Sequence, residues 1–158
     1  MKKKLDLLEE LQGIDQTIDG KKSEQTTLKA AIAELEQALA SAQSALTGHQ
    51  TQMADLRRER ADLDAAMHTE QENIKRSETN MKEIRTNKEF QAIGREISAA
   101  RKQVSDLEEQ QLQIDTRIEE LQTTINACQS ELATLADSTK NGSDEKQTAI
   151  AALQVIID

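Results

Sequence analysis

Apolar residues recur along this chain at alternating steps of four and three. From Leu7 the path runs through Leu11, Ile14, Ile18, Lys21, Gln25, Leu28, Ile32, Leu35, Leu39, Ala42 and Leu46. It continues through His49, Met53, Leu56, Arg60, Leu63, Met67, Glu70, Ile74, Ser77, Met81 and Ile84. Seventeen of these 23 slots are apolar and the frame is never interrupted, which predicts a long helix with a left-handed seam. Such an arm would be about 120 Å long at 1.5 Å per residue.

A second stripe runs Phe90, Ile93, Ile97, Ala100, Val104, Leu107, Gln111, Ile114, Ile118, Leu121, Ile125, Cys128, Leu132 and Leu135. Only Gln111 interrupts it. The two frames disagree: the first would continue to Lys88 and Gln91, two residues short of Phe90 and Ile93. An offset of two residues is about 200° around a helix, so one straight helix would throw its stripe onto the opposite face. A reversal of the chain resolves the conflict. If facing positions add to 174, Ile84 meets Phe90, Met67 meets Leu107, Leu56 meets Ile118 and Leu39 meets Leu135.

The predicted fold is therefore all-α: a long antiparallel coiled-coil helical hairpin over 1–137, with its tip at about 85–89. Thr86 followed by Glu89 has capping-box spacing, a weak signal because the same spacing occurs inside the stripes at Thr69, Ser105 and Thr116. The run STKNGSD then predicts a linker over 138–143, because Asn141-Gly142 suits a helix end and Ser143-Asp144 a new start. A short C-terminal helix over 144–158 follows, with Ala149, Ile150, Leu153, Ile156 and Ile157 on its apolar side, able to lie beside residues 16–30. Leu5, Leu8 and Leu11 would still lack an intramolecular partner. They predict an inter-subunit contact, making a homodimer, or a contact with a further domain.

Composition narrows the class. The chain has 158 residues, no Pro, Trp or Tyr, and Phe90 as its one aromatic. Long helices have this composition, and a globular core would need more aromatic bulk. The start Lys2-Lys3-Lys4 is basic, but Asp6, Glu9 and Glu10 interrupt the leucines after it. No stretch approaches the roughly 20 apolar residues of a membrane span. A cytoplasmic protein without a membrane partner is expected.

Candidate chemistry is sparse. There is no Gly-rich phosphate loop, nucleophile elbow or paired metal-ligand spacing, so no enzyme is expected and no catalytic, cofactor-binding or metal residue is assigned. His49 falls on the seam opposite Ile125 and reads as a packed or edge histidine. His68 and Glu72 are one turn apart, and two donors do not make a site. Cys128 on the seam reads as a small core residue. Arg60, Glu70 and Ser77 break the seam and read as register-fixing positions.

Charge is distributed unevenly. The net charge is −9, but residues 75–102 hold eight basic and four acidic residues, leaving −13 for the rest. In a hairpin these cations converge at the tip. Lys82, Arg85, Lys88, Arg95 and Arg101 are the expected partner contacts there. The expected partner is a protein, with RNA or DNA phosphates as the alternative. The plainer readings are a solvated helix end and a purely structural spacer. Base readout is not suggested, because Phe90 is the only stacking candidate and its seam slot predicts packing against Ile84.

The opening LLEELQGIDQTIDGKKSE and the stretch KRSETNMKEIRTNKEFQAIGREISAARKQVSDLEEQ resemble the bacterial coiled-coil plus C4-type zinc-ribbon proteins. The resemblance covers roughly residues 5–135. Its most specific part is the tip, at Asn87, Lys88, Glu89, Phe90, Ala92, Arg95, Glu96 and Ile97. It implies a helical hairpin leading into a small zinc ribbon, and a nucleic-acid-binding or regulatory adaptor, some members being linked to flagellar or secretion control. The family's zinc ligands are two CxxC pairs, and this sequence has neither. The resemblance thus implies either the hairpin part of a longer protein or a relative without the ribbon. Zinc is expected only in a ribbon outside this chain, and the tip is what carries over as a contact surface.

Overall fold

A computed structural model describes residues 1–157 of the chain. Asp158, the last residue of the predicted 144–158 segment, and the side chain of Ile157 lie outside the described residues. Two helices, α1 (Lys2–Met81) and α2 (Asn87–Ile157), pack as an antiparallel hairpin, and no strand occurs among the described residues.

The seam follows the predicted stripes. From Ile18 to Ile84, every slot of the first stripe is buried or half-buried, and so is every slot of the second from Ile93 to Leu135. Met53, Ile97, Leu107, Ile114, Ile125 and Leu153 are the most deeply buried apolar side chains. Among the described residues no large side chain is completely enclosed, since two helices can cover each seam residue from one side only. Burial of each such residue contributes roughly 1.5–3 kcal/mol, so stability comes from many modest contacts along the seam.

The chain forms two compact units. One combines Met1–Leu46 with Cys128–Asp158, and the other is Thr47–Ala127. In the first, Gln25 Nε2 donates to Ile150 O at 3.4 Å and to Gln154 Oε1 at 3.2 Å. In the second, Arg60 Nε donates to Asp115 Oδ1 at 2.5 Å, and Arg101 Nη2 to Glu78 Oε1 at 2.7 Å. Gln25–Ile150 and Arg60–Asp115 lie one residue from the predicted register, and Gln25–Gln154 and Glu78–Arg101 lie five residues from it.

The predicted linker over 138–143 is corrected by the structure. α2 runs through it without a break, so 144–158 is not a separate short helix but the continuation of α2. The four-three stepping carries on past Leu135 to Thr139, Gly142, Lys146, Ala149 and Leu153, and all five are buried or half-buried. Gly142 has no positive φ and so does not act as a helix-ending cap. A Cβ placed on it would lie 3.4 Å from Leu35 Cδ1, so α1 packs directly over this stretch. Packing against α1 overrides the local turn propensity of Asn141-Gly142.

The tip also shifts. The connection spans 82–86 rather than 85–89. α1 closes with tight bonds, from Lys82 N to Thr79 O, Glu83 N to Asn80 O and Ile84 N to Met81 O. Such i→i+3 bonds satisfy carbonyls that the ending helix would leave unpaired. Thr86 caps α2: its Oγ1 accepts from Glu89 N at 3.4 Å, and its carbonyl from Phe90 N at 3.1 Å.

Candidate functional site

The connection and the first turns of α2 place the predicted contact residues at one turn of the hairpin. Lys82 and Arg85 lie in the connection, Lys88 in the first turn of α2, and Arg95 and Arg101 further along that helix. All five are exposed. Arg101 differs from the rest because it is held by Glu78 across the hairpin. Lys82, Arg85, Lys88 and Arg95 make no ion pair among the described residues. Four unneutralised cations therefore share this end of the second unit.

Ile84, predicted to pack with Phe90, is half-buried, whereas Phe90 is more open to solvent. It is 49% exposed. Ile84 sits in the non-helical connection, and the last turns of α1 leave Phe90 only partly covered. The ring lines a shallow groove with Lys75, Glu78, Thr79, Met81 and Lys82. Sequence reasoning missed this groove. The available signal was that Phe90 is the first slot of the second stripe, where a seam has a covering helix on one side only.

A second exposed apolar surface lies at the start of α1. Leu5, Leu8 and Leu11 are 59%, 61% and 54% exposed, and Leu7 and Ile14 are exposed beside them. Lys4, Leu7, Leu8 and Leu11 line a shallow depression there.

The polar seam residues form one definite cluster. Arg60 bridges Asp115 and Asp64, the latter through Nη1 at 2.8 Å, and Gln111 Nε2 donates to the other oxygen of Asp64. The hydrogen bond to Asp115, then the charges of Asp115 and Asp64, push the Arg60 guanidinium above its ordinary value. It is a fixed cation in a seam slot, tied to both helices. His49 is half-buried on the seam, and its Nδ1 has no hydrogen-bond partner among the described residues.

A C4 zinc ribbon needs four thiolates. Cys128 is half-buried on the seam, and among the described residues no three His, Cys, Asp or Glu side chains stand close enough to share a metal ion. These residues do not fit that group. No helix among the described residues is long and apolar enough to cross a membrane.

No curated protein and no solved structure is matched by this chain. One family model, the CT398-like coiled coil hairpin domain, matches residues 11–156, which takes in both helices, the turn and the stretch around Gly142. With the hairpin geometry and a match over most of its length, the chain belongs to the CT398-like coiled coil hairpin domain family.

Proposed function

We propose that the chain is a non-enzymatic interaction scaffold that docks a macromolecular partner, foremost a protein, on its basic turn in the cytoplasm. The hairpin fold supports a structural or interaction role. The observation that carries the finer reading is the cluster of exposed, unpaired cations at Lys82, Arg85, Lys88 and Arg95. Gathered where the two helices meet, they can select and orient a partner by complementarity of charge without bond chemistry. No cofactor is needed for such a role. Leu5, Leu8 and Leu11 supply a separate apolar contact, to a second copy or a further domain.

Reversing Arg85 and Lys88 to Glu tests this reading. The Arg85→Glu/Lys88→Glu variant should keep the helical circular dichroism of the parent and capture fewer of the proteins that the parent retains, measured by quantitative mass spectrometry. Equal capture by both would remove the turn from the mechanism. Binding to phosphate backbones is the second reading, favoured by the exposure of Phe90 beside Lys75 and Lys82. It requires affinity for RNA or DNA that falls steeply as salt rises.

A further inference from the structure

The groove beside the turn distinguishes between the two kinds of partner. Met81, Thr79 and the half-exposed Phe90 line it. Lys75, Lys82 and Glu78 complete the lining. Glu78 is engaged by Arg101, whereas Lys75 and Lys82 make no ion pair among the described residues. The groove thus joins a partly exposed apolar lining to two free cations. On α2, one turn beyond Phe90, Gly94 presents no side chain. A Cβ built there would lie 3.8 Å from the Met81 methyl, so that methyl packs close to the α2 backbone. Phe90 is left as the more exposed apolar surface of the groove.

We infer that this groove is a docking site for an acidic peptide segment, which seats one bulky apolar side chain on Phe90 and Met81 while flanking Asp or Glu residues meet Lys75 and Lys82. The inference rests on the scaffold reading above and names the chemistry of its partner. Charge complementarity selects the occupant. A nucleic-acid strand would run beyond the groove, and outside residues 75–102 the same unit carries twelve acidic and four basic residues. A polyanion is repelled there, whereas a short acidic segment confined to the turn is not. A partly exposed aromatic in a groove can also receive the single apolar anchor that carries much of the energy of a peptide contact.

The test uses the full chain. A random-peptide display library is selected on it, and synthetic copies of the enriched peptides are titrated by fluorescence anisotropy. The titrations compare the parent with Phe90→Ala, Phe90→Leu, Lys75→Glu/Lys82→Glu and Arg85→Glu/Lys88→Glu, each checked for parental helicity. Enriched peptides should pair a bulky apolar residue with acidic neighbours. Their affinity should fall roughly tenfold or more in Phe90→Ala and in Lys75→Glu/Lys82→Glu, and recover in Phe90→Leu. No enrichment, enrichment without acidic neighbours, or indifference to Phe90→Ala overturns the inference. So does tighter, Phe90-dependent binding of single-stranded oligouridylate. If affinity depends on Arg85 and Lys88 but not on Phe90, the groove fails and the scaffold reading survives. If it depends on neither, both fail.

Discussion

Thr139 is only 5% exposed, and its hydroxyl has no hydrogen-bond partner among the described residues. Thr123 and Thr124, in contrast, return their hydroxyls to the carbonyls of Glu119 and Glu120 at 3.1 Å. A buried hydroxyl without a partner costs desolvation that nothing offsets. Valine has the same shape and no hydroxyl, so Thr139→Val should stabilise the fold by about 1 kcal/mol in chemical denaturation. Gly142, three residues on, is helical and meets only Leu35 and the end of Lys146. Gly142→Ala should add about 0.5–1 kcal/mol through reduced backbone entropy of the unfolded chain. A loss of stability in Gly142→Ala would instead mean that the residue serves as a helix cap.

At the scale of the elements, two helices must choose one register among many that bury similar aliphatic residues. Apolar side chains tolerate a slide of one heptad, whereas the bridge from Arg60 to Asp115, with Asp64 and Gln111 joined to it, does not. Arg60→Leu should therefore leave thermal stability equal or higher while loosening the register. Spin labels on α1 and α2 should give one narrow distance in the parent and a broadened or split one in the variant. An unchanged distribution would show that the apolar contacts suffice. The same polar positions explain what the sequence revealed and what it concealed. The seam from Ile18 to Leu135 was legible because Leu, Ile and Met mark it at nearly every turn. The reversal was legible because the two frames clash near Asn87. The continuation of α2 was not, because Thr139, Gly142 and Lys146 occupy seam slots without apolar side chains, and Asn141-Gly142 carries a turn signal. Only contact with Leu35 reveals the stretch as helix. The exposure of Phe90 was hidden for the opposite reason: its slot carries the seam pattern, but it stands in the first turn of α2, where the last turns of α1 cover it only in part.

For the molecule as a whole, the functional reading depends on the reversal of the chain. Without it, the cations of residues 75–102 would be spread along a single helix, and Lys75 and Lys82 would not share a groove with Phe90. With it, a chain of net charge −9 presents a local excess of positive charge on a stem whose remaining residues are acidic. The reversal can be measured directly with spin labels at Gln52→Cys and Thr124→Cys in a Cys128→Ala background, diluted with unlabelled protein so that only intramolecular pairs contribute. Gln52 and Thr124 line the same surface depression in the second unit. Helices packed about 8–10 Å apart should give a single distance below about 30 Å once the label arms are included. An uninterrupted helix would separate the two sites by about 108 Å, and the absence of any short distance would contradict the hairpin.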